Sequence, residues 1–112
     1  MMPLCGNLFS ASDAPAHGER FEELLRHRNL VVERIVSSSA VEPCEYRQSQ
    51  DEWVLLVRGE ARLVVAGKAL SLVAGDYVFL PAGVPHVVES ASQGALWLAV
   101  HLHPEQAVPG ET

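Results

Sequence analysis

Apolar and polar residues alternate along this chain in short runs, cut by turn residues every six to ten positions. Leu30–Ser37 is rich in β-branched residues and reads as a strand. Trp53–Val57 is a continuous apolar run, ended by Arg58-Gly59-Glu60. Ala61–Val65 and Ala69–Val73 pair back around Ala66-Gly67-Lys68, and Ala74-Gly75-Asp76 turns into Tyr77–Leu80. Val84–Ser90 and Ala95–His101 follow, separated by Ser92-Gln93-Gly94. Such spacing predicts about seven short strands with no helix between them, and hence a sandwich or barrel, not a parallel sheet with crossover helices.

Before the strands the pattern differs. Phe21, Leu24 and Leu25 recur at helical spacing among Glu19, Arg20, Glu22, Glu23 and Arg26. Ser12 or Asp13 can cap, and Pro15 suits a first turn. A helix is therefore expected over Ala16 to His27. The organisation reads as an N-terminal arm and helix (1–29), a barrel (30–103) and a flexible tail (104–112). The fold class is all-β with a short N-terminal helix.

The most informative stretch is Gly75-Asp76-Tyr77-Val78-Phe79-Leu80-Pro81-Ala82-Gly83-Val84-Pro85-His86. Its apolar run is too short for a helix and ends in a proline that would break one. A histidine just beyond a rigid loop is held in one direction, as a metal ligand or proton-transfer group must be.

Glycine, five residues, proline, one residue, glycine, two residues, histidine closely resembles the second conserved motif of the cupin superfamily. Upstream, Glu52 and Gly59 are similar to the second half of the first cupin motif. The resemblance spans roughly Arg34 to His103 and implies a double-stranded β-helix (jelly-roll) barrel. Within the superfamily the chain looks like a bacterial subgroup of short, single-domain cupins. The resemblance also implies a divalent metal, such as zinc, iron, manganese or nickel, held by two histidines and a glutamate from the first motif and one histidine from the second. Glu52 and His86 match. The other two positions fall at Tyr46 and Gln48, and neither is histidine. Ser90 replaces the asparagine that often closes the second motif. An amide oxygen from Gln48 is a weaker and harder donor than imidazole.

A replacement ligand is available in the last strand. Trp97, Ala99, His101 and His103 share one face by period two. If that face looks inward, His101 joins His86; if outward, both late histidines lie on the surface. The preferred placement puts His101 inside and His103 outside, at the mouth. The candidate metal set is thus Gln48, Glu52, His86 and His101. A metal-free alternative of isomerase or epimerase type uses His86 as general base with Tyr46 or Glu52 as acid. A third reading is a binding or sensing module, with Trp53, Tyr77 and Trp97 around an apolar pocket. Arg34 either enters the barrel as an anion-binding fork or pairs with Glu52 or Glu60.

Composition narrows the partners. Hydrophobic residues make up 48% and charged residues 20% of 112 residues, which suits one packed domain. A formal charge of −6 and the absence of a basic patch argue against nucleic acid and a membrane surface. Cys5 and Cys44 lie in no metal or redox spacing. The expected setting is cytoplasmic and the expected partner a small molecule. Strands apolar on both faces imply a homodimer.

Overall fold

The computed structural model describes residues 4–105. The expected tail lies largely outside them. Among the described residues there are eight strands: β1 (Glu19–His27), β2 (Leu30–Ser37), β3 (Asp51–Arg58), β4 (Glu60–Val65), β5 (Lys68–Val73), β6 (Tyr77–Leu80), β7 (His86–Ala91) and β8 (Ala95–Leu102). They form a five-stranded sheet ordered β1-β2-β8-β3-β6 and a three-stranded sheet ordered β5-β4-β7. All pairings are antiparallel. This is the expected jelly-roll arrangement. Among the described residues no helix is long and apolar enough to cross a membrane.

The two sheets close on a core drawn from both. Ile35, Val54, Leu56, Trp97 and Ala99 from the larger sheet meet Ala61, Leu63 and Leu72 from the smaller. Strand alternation supplies these residues: along β3, Glu52, Val54 and Leu56 are buried while Trp53, Leu55 and Val57 are half-exposed. The interior face thus admits Glu52 at one end of an otherwise aliphatic row.

The N-terminal helix is not formed. Residues 19–27 are β1, paired with β2 in the register Glu19↔Ser37, Phe21↔Ile35 and His27↔Leu30. Helix propensity is a weak prior, and here the free edge of β2 offers a full ladder of backbone partners. Arg28, with φ at 55°, helps make the tight connection to β2. A bulge between Glu23 and Leu25 interrupts the alternation, so the period-two pattern is blurred in the sequence. Glu19 and Phe21 consequently line the cavity where it meets the neighbouring groove, with Phe21 still 53% exposed.

Arg34 takes neither of its expected places. It turns outward, 6% exposed, donating to the carbonyls of Leu8 and Ser10 and pairing with Glu22. Its guanidinium thereby ties the N-terminal arm to the outside of the large sheet. Glu33, one residue earlier, occupies the interior face instead.

Candidate functional site

The Gly75–His86 word folds as a chain of constraints on one imidazole. Asp76 Oδ2 accepts from the Val73 amide at 2.9 Å, closing the first turn around Gly75, whose φ is +98°. Leu80 is buried beside Glu52 in the β3–β6 pair. The Gly83 amide donates to the Gln48 carbonyl at 2.8 Å, and the Ala82 amide to Asp51 Oδ1 at 2.8 Å. Tyr46 and His86 then exchange backbone hydrogen bonds of 2.8 and 3.0 Å, and their rings stack with centroids 5.8 Å apart. The His86 Nδ1 edge faces the Val84 carbonyl at 3.4 Å, leaving Nε2 toward the cavity.

His101 arrives from β8, directly opposite Glu52 in the strand register. Its inward placement meets the sequence expectation. Its Nε2 is 3.3 Å from Glu33 Oε1, and its Nδ1 is 4.0 Å from Glu52 Oε1. His86 Nε2 is 3.8 Å from the same Glu52 oxygen. One buried carboxylate therefore stands between two buried imidazoles. Two amides run alongside: Gln48 Nε2 donates to Glu52 Oε1 at 2.8 Å and lies 3.4 Å from His86 Nε2. Gln50 Nε2 donates to Gln48 Oε1 at 2.9 Å and lies 3.3 Å from His101 Nδ1.

Glu33, Gln48, Glu52, His86 and His101 line a cavity of about 90 Å³ with Ile35, Val54, Leu63 and Trp97 among its walls. Trp97 is fixed by its indole N–H on Ser37 Oγ at 3.0 Å, and Ser37 donates onward to Glu19 at 2.6 Å. The cavity borders an open groove of about 540 Å³, and the two share Glu19, Phe21 and Tyr46.

Burial sets the charges. It pushes the His86 pKa down, against a smaller opposing pull from the Val84 carbonyl. It pushes Glu52 up, with His101 opposing and Glu33 and Glu19 adding to the rise. Glu19 rises through burial, with the Ser37 hydrogen bond opposing. Tyr46 rises through burial, helped by Cys44 and Glu19. His101 goes the other way from His86, raised chiefly by its hydrogen bond to Glu33. A histidine raised on folding stabilises the folded chain fully below its unfolded pKa and loses that contribution as pH climbs through the folded value. His101→Gln should therefore cost most below the ordinary histidine value of 6.5 and progressively less above it. Melting temperatures of the two proteins from pH 6 to pH 9 check this; a gap that widens with pH would refute it.

Gln48, Glu52, His86 and His101 do come together, but their arrangement does not fit a resident metal ion. Among the described residues no group of three or more histidine, cysteine or acidic side chains has metal-site geometry. The amides also turn N–H groups, which are not metal donors, toward the site: Gln48 Nε2 donates to Glu52 and lies 3.4 Å from His86 Nε2, while Gln50 Nε2 lies 3.3 Å from His101 Nδ1. Trp53 and Tyr77, expected around the pocket, pack on each other with rings 5.7 Å apart, and neither lines the cavity. Sequence reasoning missed Glu19, Phe21, Glu33 and Gln50. Only Glu33 carried a signal, its shared face with Val31 and Ile35.

Comparison with known proteins agrees with this architecture. The model of the Cupin domain family matches residues 32–101. A Ralstonia eutropha protein, named as a candidate mannose-6-phosphate isomerase, is 33% identical, with a TM-score of 0.80 over 91% of this chain and 100% of its own. An RmlC-like cupin from Shewanella frigidimarina is 20% identical, with a TM-score of 0.69 over 84% of each chain. A salicylate 1,2-dioxygenase from Pseudaminobacter salicylatoxidans is 16% identical, with a TM-score of 0.70 over 80% of this chain and 27% of its own. The last two likenesses concern the fold alone. A search of the curated proteins found no significant match. The matched family model, the 33% identical relative and the two-sheet barrel agree: this chain belongs to the Cupin domain family.

Proposed function

We propose that this protein moves protons on a small polar molecule held in the barrel, as an isomerase- or epimerase-type enzyme. One observation carries the reading: two buried imidazoles flank one buried carboxylate in a cavity that opens onto the neighbouring groove. His86 is the general base. Burial keeps its imidazole neutral toward lower pH, and Nε2 presents its lone pair to the cavity. Tyr46, stacked on His86 and held protonated by its raised pKa, is a proton donor at the mouth. His101, beyond Glu52, is a second donor on the opposite side. Groups whose environments drive their pKa values apart make natural acid–base partners. Glu52 lies between the rings, 3.8 Å from His86 Nε2 and 4.0 Å from His101 Nδ1.

In the forward step a C–H beside a carbonyl gives its proton to His86 Nε2. The C–H electron pair becomes the new double bond of an enol, and the carbonyl oxygen takes a proton from Tyr46 or His101. Reversal on the other face or at the neighbouring carbon returns an epimer or isomer. The direct test is deuterium exchange into small hydroxy-carbonyl compounds in D2O, followed by proton NMR. Exchange at a single carbon is the expected result; none across aldoses, ketoses and amino-carbonyl compounds would overturn the reading. Dialysis against a chelator should leave the rate unchanged. A rate restored only by zinc, iron, manganese or nickel would return the site to metal chemistry.

A second copy of the chain suits the outside of the large sheet. Tyr77, Phe79 and Leu102 are 68%, 57% and 49% exposed there and carry no charge. Burying such rings between two copies is the ordinary way to remove them from water. Light scattering should give the mass of a homodimer, and Phe79→Glu that of a monomer; a monomeric parent chain refutes it.

A further inference from the structure

The charged lining of the site is one-sided. Glu19, Glu33 and Glu52 all line the cavity, and Glu42 joins Glu19 in the groove outside it. No lysine or arginine lines either space among the described residues. The cations that could have turned inward are committed elsewhere. Arg34 holds the N-terminal arm, Arg58 donates to Ser12 and the Gly94 carbonyl, and Arg62 pairs with Glu89. Three aromatic rings, Phe21, Tyr46 and Trp97, stand along the same route. The rest of the cavity lining is Gln48, His86, His101 and aliphatic side chains.

Carboxylates accept hydrogen bonds from an ammonium group and attract its charge, while aromatic faces attract cations further. A phosphate or carboxylate would meet the same carboxylates, with only His101, already paired with Glu33, to offer positive charge. We infer that the substrate of this cavity is a small molecule bearing a protonated amine on a compact apolar skeleton, and that phosphorylated or carboxylated molecules are rejected. This rests on the reading of the cavity as a substrate site. It deepens that reading by naming the charge the substrate carries. It also separates this chain from its Ralstonia relative, whose name refers to a phosphorylated sugar.

The test is a charge series on one skeleton: isobutylamine, isobutanol and isobutyrate, titrated into the full chain by calorimetry, with Trp97 fluorescence as a second readout. Isobutylamine is expected to bind at least about tenfold more tightly than isobutanol, and isobutyrate not to saturate. Glu19→Gln with Glu33→Gln should erase most of that preference. Both substitutions keep size, and a thermal melt checks that the variant is folded. The parent series decides the matter even if the variant is not. Isobutyrate binding as well as isobutylamine, or no saturable amine binding, overturns the inference. The deuterium-exchange test is independent. Exchange without amine preference removes only this inference, and amine preference without exchange removes only the proton-transfer reading.

Discussion

His86→Gln is expected to lower the hydrogen-exchange rate by about 10²- to 10⁴-fold, the usual contribution of a placed general base. Glutamine preserves much of the side-chain volume and a polar tip but has no basic lone pair near neutral pH. The backbone around position 86 is held by the paired hydrogen bonds with Tyr46, which the substitution leaves in place. The fold should therefore survive, and the loss should fall on kcat with little change in KM. A second signature separates chemistry from structure. Burial pushes the His86 pKa below its ordinary 6.5, so the acid limb of the parent's rate profile should lie below that value. The limb should vanish in the variant. Turnover that survives with the same limb would remove His86 from the mechanism.

Gly59→Ala should cost about 1–3 kcal/mol from backbone strain alone, with a steric cost on top. Gly59 has φ at +93° in the connection between β3 and β4. A Cβ there would come within 2.6 Å of Ser92 Oγ and 3.0 Å of the Ala95 backbone. Ser92 Oγ accepts from the Glu60 amide at 2.9 Å, so moving it aside loses that bond. Ala95 is fully buried in the core and has nowhere to retreat. The melting temperature should fall by roughly 5–20 °C for a chain of this size. Gly67→Ala is the matched control. Its φ is +80°, but nothing lies within 4 Å of the added carbon. It should show the strain without the collision, and hence a smaller loss in the same thermal melt. Equal losses at the two positions would mean that the contact with Ser92 and Ala95 is unimportant.

Much of the barrel was legible because strand alternation and turn residues are local properties. Tyr77–Leu80 begins and ends where its flanking Asp76 and Pro81 predict. Leu30–Ser37 is likewise found at its expected bounds. The N-terminal element was misread for a physical reason. Residues 19–27 have helical spacing and good helix formers, and only the open edge of β2 turns them into a strand. That edge is distant in the logic of the sequence, although it is adjacent in the chain. The error hid Glu19 and Phe21, since a helix would have placed them outside the barrel.

The site divided in the same way. His86 was readable because its rigid loop is written in consecutive residues, and Glu52 because of its distance from Gly59. His101 was one of two orientations, and the register of β8 against β3 selected the inward one by setting it opposite Glu52. The choice between Glu33 and Arg34 was beyond sequence pattern, because neighbouring residues on a strand face opposite sides and either charge could have been buried. The N-terminal arm decided it by offering Arg34 the carbonyls of Leu8 and Ser10 on the outside.

The sequence by itself therefore determined a β-barrel, the turn that aims His86 and the absence of a full histidine set for a metal. Tertiary structure alone decided that β1 is a strand, that Glu19 and Glu33 join Glu52 inside, and that Gln48 and Gln50 lie across the histidines. The reason is that local pattern specifies which residues alternate. Which face is buried, and which charges share it, depends on elements that meet only when the sheets close.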